Sequence, residues 1–385
     1  MNHLFSLTPC DRGPIVNIRE QDISSFEICL CVTGYRPLVK VGDSTSKGQT
    51  MAEDPAGKLP SLHSSISGKV IDVKKDFIRI QEDGERTAQP LDFSTLNTGS
   101  MLESLRHGGI DTRPFKPENT LIINAVPAES GLDGHRFLIE EFNDIMLEGL
   151  AFLKKALVPK ACALALPAGM NWTLQGCSSH EIAPVYPNGL NAMVVKAVTG
   201  QEMPPEVSVI NAAELYRIGR TLHGRQPVSD IMVKVGSTLF QAPVGTPVGL
   251  LVKMAGFSVA DNDRVILGGP LSGEAVYSLN HGIGPETQGI CVIPSGPEPT
   301  IKDAPCVGCG ECVIRCPARL MPNMISRHAE FGLFENTLSY NIAACFECGL
   351  CTYWCTAQRP VLHYIRLAKK ELSQQPILED LREKA

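Results

Sequence analysis

The chain has 385 residues, 35 basic and 41 acidic, for a net charge of −6. That length exceeds one ordinary core and calls for two to four domains, and the intermixed charges leave no basic footprint for nucleic acid. The longest strongly apolar run, Ala161 to Met170, is ten residues broken by Pro167, whereas a bilayer-crossing helix needs about 20. No transmembrane segment is expected, and the N-terminal MNHLFSLTPCDRGP lacks a basic-then-apolar leader, which points to the cytoplasm.

Residues 32–82 read as short strands, at Pro37-Leu-Val-Lys-Val, Ser67-Gly-Lys-Val-Ile-Asp-Val and Phe77-Ile-Arg-Ile, with turns at Gly42-Asp43, Lys47-Gly48 and Asp83-Gly84. The module, residues 1–100, resembles barrel-sandwich hybrids such as biotinyl and lipoyl carriers. A carrier lysine needs a recognisable motif on a hairpin tip, and Lys40, Lys47 and Lys69 have none, so a structural module is expected.

From Thr120 the texture changes. Leu121-Ile-Ile-Asn-Ala-Val is a buried strand, and apolar residues at Phe137, Leu138, Phe142, Ile145, Met146, Leu150, Leu153 and Leu157 predict one helix over Arg136–Leu157. Strands at Ala161–Leu166 and Val207–Asn211 and a helix over Ala212–His223 extend an α/β domain, residues 101–225. A small α+β unit, 226–297, follows, with strands at Ile231–Val235, Arg264–Leu267 and Gly289–Ile293 and a short helix at Val248–Ala255. Pro294-Ser-Gly-Pro-Glu-Pro-Thr300 reads as a linker.

Eight of the fourteen cysteines lie in two near copies, Cys306-Val-Gly-Cys-Gly-Glu-Cys-Val-Ile-Arg-Cys316 and Cys345-Phe-Glu-Cys-Gly-Leu-Cys-Thr-Tyr-Trp-Cys355. Clustered cysteines in a long cytoplasmic chain bind metal, and thiolates suit iron-sulfur clusters. Structural zinc is the competing reading, although zinc sites rarely use cysteines at i, i+3 and i+6 twice over. Gly308, Gly310 and Gly349 relieve crowding where amides turn inward, and Pro317 fits the first position of a helix. A helix over Pro360–Gln374, with Val361, Ile365, Ala368 and Leu372 on one face and Lys369, Lys370 and Glu371 outside, is expected to cover the clusters. Cys10, Cys29, Cys31, Cys162, Cys177 and Cys291 read as small buried hydrophobes.

The cysteine spacing resembles that of two-cluster ferredoxins, in which the fourth cysteine of each run ligates the other cluster. The resemblance implies one 4Fe-4S cluster on Cys306, Cys309, Cys312 and Cys355 and a second on Cys345, Cys348, Cys351 and Cys316, together forming a wire for electrons.

An ordered series runs from the β module through Leu121-Ile-Ile-Asn124, Tyr186-Pro-Asn-Gly189, Thr199-Gly-Gln-Glu-Met-Pro204 and Val244-Gly-Thr-Pro247 to Gly268-Gly-Pro270. This series resembles the C subunit of Rnf electron-transport complexes over nearly the whole chain. The resemblance implies a multidomain α+β fold: a barrel-sandwich hybrid (1–100), an α/β domain similar to the flavin subunit of respiratory complex I (101–225), a soluble-ligand-binding β-grasp unit (226–297) and a helical dicluster ferredoxin domain (298–385). It also implies a peripheral electron-transfer subunit on the cytoplasmic side of the inner membrane, joined to integral-membrane subunits of an ion-translocating oxidoreductase.

Three departures fall on the flavin and NADH site of that family. Asp111-Thr-Arg-Pro-Phe115 stands where a Gly-Gly-Ala-Gly-Phe-Pro-Thr loop is usual, Val126-Pro-Ala-Glu-Ser130 where Glu-Cys-Glu-Pro is usual, and Tyr186-Pro-Asn-Gly-Leu-Asn-Ala192 lacks the usual glutamate and lysine. Thr112-Arg-Pro-Phe115 instead resembles the A subunit of sodium-pumping quinone reductases. No Gly-x-Gly-x-x-Gly fingerprint replaces the loop, because Thr287 follows Gly282-Ile-Gly284 where a third glycine is needed. His63, His107, His135, His180 and His223 show no metal-ligand spacing, and no catalytic residue is nominated.

The expectation is therefore a relay through two 4Fe-4S clusters without FMN of its own, fed by a protein such as a ferredoxin or cytochrome. The alternatives are an NADH-oxidising, FMN-containing dehydrogenase subunit and a soluble ferredoxin-like adaptor of a cytoplasmic reductase.

Overall fold

The computed structural model describes residues 13–21, 26–84, 86, 90–91, 98–296 and 301–373. The chain divides into two compact units, Met1–Pro294 and Ser295–Ala385. Cys10, residues 297–300 of the expected linker and Gln374 lie outside the described residues.

The first unit begins with eight strands: β1 (Ile15–Asn17), β2 (Glu27–Cys31), β3 (Arg36–Pro37), β4 (Ser44–Thr45), β5 (Thr50–Glu53), β6 (Leu62–His63), β7 (Gly68–Val73) and β8 (Phe77–Glu82). They form an antiparallel sheet in the order β2-β8-β7-β4 and a smaller one in the order β3-β5-β6. Ile78 and Ile80 alternate inward along β8, as Ile28 and Leu30 do along β2. The strand expected over Pro37–Val41 stops at Pro37, because the Asp43 carboxylate takes the Lys40 amide at 2.8 Å and turns the chain. Lys47 is no swinging arm here: its ammonium pairs with Asp230 at 2.8 Å.

A helix, α1 (Thr98–His107), leads into β9 (Thr120–Asn124), α2 (Gly134–Glu141), α3 (Asn143–Leu157), β10 (Cys162–Pro167), β11 (Ser178–Ile182), α4 (Asn191–Thr199), β12 (Val207–Asn211) and α5 (Ala212–Gly224). The four strands make a parallel sheet in the order β11-β10-β9-β12. Its central strands are apolar on both faces because helices cover both. The single helix expected over Arg136–Leu157 is two, broken at Phe142, whose ring meets Phe137 at 5.7 Å and Tyr216 at 5.0 Å. The break aims an aromatic ring between helices, which apolar periodicity does not reveal.

Parallel pairing of Ala163 with Ser178 sets the preceding residues side by side, and Cys162 and Cys177 are joined in a disulfide. Reading these two as separate buried hydrophobes is thereby corrected. Cys31 is exposed, and Cys29 and Cys291 are half-buried.

The unit closes with β13 (Asp230–Val235), β14 (Thr238–Pro243), α6 (Val248–Met254), β15 (Arg264–Leu267), β16 (Glu274–Ala275) and β17 (Gly289–Ile293). The sheet order is β1-β14-β13-β17-β15-β16, so the first strand of the described residues lies parallel to β14. One apolar core joins this sheet to the N-terminal module, with Ile28, Ile78 and Ile80 clustered with Val233, Phe240 and Leu251. Close backbone approach holds the junction: the Gly245 carbonyl accepts the Cys29 amide at 2.8 Å, and a Cβ at Gly282 would come within 1.9 Å of the Cys29 oxygen. Gly282 therefore serves packing rather than phosphate binding.

The second unit is helical: α7 (Glu311–Ile314), α8 (Pro322–Glu330), α9 (Leu350–Tyr353) and α10 (Val361–Ser373), with 3-10 turns between α8 and α9. Its core gathers Leu320, Ile325, Ala329, Ile342, Val361, Ile365, Ala368 and Leu372 around Cys312 and Cys351. The apolar face expected for the last helix is the buried one. Pro317, however, is not at a helix start; Pro322 is, opening α8.

Candidate metal centre

The two cysteine runs fold as near copies. In the first, Gly308 and Gly310 have φ of 70° and 80°, and in the second the matching positions are Glu347 and Gly349 at 58° and 75°. These left-handed residues turn the chain twice before one helical turn, α7 or α9, begins. Glutamate is an unusual occupant of that region. Its carboxylate accepts from both Lys369 and Arg366 at 2.9 Å, while the Lys369 ammonium also reaches the Cys345 carbonyl. Lys369, expected outside, is thus drawn onto the second cysteine run.

The tertiary fold regroups the eight thiols. Cys306, Cys309 and Cys312 share the lining of one pocket with Cys355 from the other run, together with Asn323 and Arg359. Cys316 in turn lies near Cys345, Cys348 and Cys351, close enough to bear on their ionisation. Burial pushes the Cys348 thiol up to about 12 and raises Cys351, Cys345 and Cys312 as well, with Lys369 opposing at Cys345. Cys309 differs: it is exposed, and the Thr356 hydroxyl, donating to its sulfur at 3.3 Å, lowers its pKa.

Thiols so protonated must release protons on ligating metal, which couples assembly to pH. Among the described residues no three His, Cys, Asp or Glu side chains converge as a single ion requires. A four-iron cluster takes one thiolate at each of four separate irons, so thiols spread around a pocket suit it better than they suit zinc. Sequence reasoning missed Glu347 and Arg359 and gave Thr356, which stands where the first run has Pro317, no role; the one available signal was their place in the repeat.

The first unit holds the second region of interest. In its parallel sheet the strand order reverses between β9 and β12, where a crevice at the carboxyl ends commonly takes a ligand. At the carboxyl ends of these two strands the asparagine side chains are engaged by the chain itself. Asn124 donates to the Gly189 carbonyl at 2.9 Å and to Asn191 at 2.8 Å and accepts from the Val126 amide, while Asn211 caps α5 through the Glu214 amide at 2.8 Å.

Glu129 is buried, and its carboxylate takes the amides of Leu271 and Ser272 at 2.7 and 2.8 Å plus the Ser272 hydroxyl. Gly269 is the residue that admits it, since a Cβ there would meet the Glu129 carboxyl carbon at 2.3 Å. Arg113 clasps Asp111, and buried Arg217 clasps Glu286 with two bonds of 2.6 and 2.8 Å. Of the five histidines considered, the fold brings His63 beside His107, leaves His135 fully buried, and holds His180 and His223 against Ser178 and Glu148.

No helix of the described residues is long and apolar enough to cross a membrane. A family model described as a 4Fe-4S dicluster domain matches residues 298–356. Along most of its length the chain is similar to the C subunit of the ion-translocating oxidoreductase complex of Pseudomonas aeruginosa, at 26% identity over 396 residues, covering 88% of this chain and 51% of that protein. The Rhodobacter capsulatus protein of the same name is 25% identical over 393 residues, covering 88% of this chain and 75% of its own. The C subunit of the proton-translocating ferredoxin:NAD(+) oxidoreductase complex of Clostridium ljungdahlii is 24% identical over 386 residues, covering 87% and 84%.

The chain thus spans about half the length of the Pseudomonas relative. Among solved structures, a chain of NAD+-reducing [NiFe]-hydrogenase in the H2-reduced state aligns over 73% of this chain and 63% of its own, with a TM-score of 0.44 at 14% identity. Relatives of one name match along some 88% of the chain and a dicluster domain model matches where its eight clustered cysteines stand, so along most of its length the chain is similar to the C subunits of ion-translocating oxidoreductase complexes.

Proposed function

We propose that this chain is a peripheral electron-relay subunit of an ion-translocating oxidoreductase complex, passing single electrons between a protein donor and membrane-embedded subunits. Cys306, Cys309, Cys312 and Cys355 hold one 4Fe-4S cluster, and Cys345, Cys348, Cys351 and Cys316 hold the other. The observation that carries this reading is the pocket shared by three thiols of one run and the last thiol of the other. Each cluster supplies one-electron storage without bond making. The chain's own residues orient the thiolates, exclude water from the second set by burial, and hand Cys309 toward solvent, where a partner can approach.

The first unit serves docking rather than hydride chemistry. We read the four sheets of its described residues as a barrel-sandwich module of two sheets, a complex-I-like α/β domain and a β-grasp unit, with boundaries near residues 100, 225 and 297. The reading of a relay without flavin is supported by Asn124, at the carboxyl end of β9, and Glu129, in the loop beyond it, being engaged by the chain's own groups. The cytoplasmic face is the natural side for such a chain, because soluble carriers meet it there.

Anaerobic purification with iron, sulfide and flavin counts, followed by an NADH challenge under absorption spectroscopy, tests the whole reading. About eight irons and eight sulfides per chain are expected from two 4Fe-4S clusters, with no FMN and no bleaching by NADH alone. Stoichiometric FMN with clusters bleached by NADH overturns the relay in favour of a dehydrogenase subunit.

A further inference from the structure

The two halves of the cysteine repeat end on the same contact. The amide of the fourth residue beyond the last cysteine donates to that cysteine's sulfur: Leu320 to Cys316 and Arg359 to Cys355, both at 3.4 Å. The repeat makes these positions equivalent, yet one carries an apolar side chain and the other a guanidinium, in a residue only 2% exposed.

Arg359 lines the pocket of Cys306, Cys309, Cys312 and Cys355. Its Nη1 donates to the Ala304 carbonyl at 2.8 Å and its Nη2 to Glu330 at 2.7 Å, while its buried Nε–H has no partner among the described residues. A buried charged donor left unmade is costly unless something in the pocket accepts it. Sulfur of a bound cluster is such an acceptor. Asn323 Oδ1, the other unpartnered polar atom of the pocket residues, is itself an acceptor and offers sulfur nothing. The groups facing Arg359 are the Glu330 carboxylate and the Tyr364 ring, 5.4 Å from the guanidinium carbon, whose hydroxyl is held by Asp303.

We propose that Arg359 sets the reduction potential of the cluster in this pocket, its guanidinium charge and free Nε–H favouring the reduced state, and so makes the two clusters unequal. The inference rests on the ligand set proposed above. Reduction adds one electron and no atoms, so a buried cation and a donor to sulfur stabilise the product over the reactant and raise the potential. Glu330 opposes this by offsetting the charge.

The test is an EPR-monitored titration of the full-length chain, purified anaerobically, with dithionite as reductant and iron counted in parallel. Arg359→Gln should keep about eight irons and shift one of the two cluster signals to lower potential by at least tenfold in the equilibrium, about 59 mV for one electron. Arg359→Lys should shift the same signal by less. Glu330→Gln should shift it the opposite way, although it breaks the same ion pair, which a purely bracing arginine does not predict. If Arg359→Gln loses iron, Arg359→Lys and Glu330→Gln carry the test with the same signs. Full iron with unmoved potentials, or shifts of one sign in the Arg359 and Glu330 variants, overturns the proposal. A parent chain without two four-iron signals defeats the ligand assignment instead, and is read before any variant.

Discussion

Glu347 and Gly308 hold the same place in the two cysteine runs, and the left-handed backbone they share shows how much of this centre depends on single residues. Glycine adopts that conformation freely; glutamate does so here while its carboxylate is clamped by Lys369 and Arg366. The thiols depend on the same precision. Cys306→Ser and Cys355→Ser should extinguish the same EPR signal, and Cys316→Ser and Cys345→Ser the other, each leaving about four of eight irons. Loss of one signal by both Cys345→Ser and Cys355→Ser would mean that each run closes on its own cluster. Away from the metal, Gly269→Ala drives a methyl group into Glu129. Overpacking of this kind costs about 1–3 kcal/mol, measurable as a lowered midpoint in chemical denaturation.

At the scale of elements, α3 and α5 touch through Gly149 and Gly219. A Cβ at Gly219 would stand 2.0 Å from the Ile145 carbonyl oxygen, and one at Gly149 2.9 Å from that of Leu215. Alanine is the better helix former by about 1 kcal/mol, so intrinsic propensity alone would make Gly219→Ala stabilising. Packing reverses the sign: the variant should lose about 1–3 kcal/mol, and a gain in urea resistance would refute the close contact. The same elements show what local pattern reveals. The apolar stripe of α10 was legible because helix period and burial coincide there. The edge strand β11, Ser-Ser-His-Glu-Ile, was not legible, since only Ile182 is buried and pairing with β10 alone makes it a strand.

For the whole molecule, buried ionisable groups of the first unit govern its response to pH. Burial holds His63 and His135 down to about 4, and holds Glu214 up to about 7. A histidine whose folded value lies below its unfolded one stabilises the fold above pH 6.5, and that stability is lost as pH falls from 6.5 toward 4. Glu214 works the other way: stability is complete below about 4.5 and declines as pH rises toward 7. The two trends offset each other within one window.

Glu214→Gln should therefore steepen the acid loss of stability, and His135→Asn should flatten it, by up to roughly 3 kcal/mol for a shift of this size. Trp172 belongs to the first unit and Trp354 to the second, so urea unfolding followed by Trp172 fluorescence in a Trp354→Phe background, at pH 7 and pH 5, isolates the response. Equal pH dependence in all three proteins would refute the buried-histidine account.

The cysteine runs were readable from sequence by themselves because their chemistry is local: ligands at i, i+3 and i+6, and glycine where the backbone must turn the left-handed way. The central parallel strands β9 and β10 were readable too, since burial on both faces leaves continuous apolar runs. The tertiary structure alone decided the rest. It brought Cys355 into the pocket of Cys306, Cys309 and Cys312, laid Ile15–Asn17 beside β14, joined Cys162 to Cys177, set Glu129 on the Leu271 and Ser272 amides and buried Arg359. Each is a contact between residues distant in the chain, whose energy comes from burial and pairing with partners that no local pattern specifies.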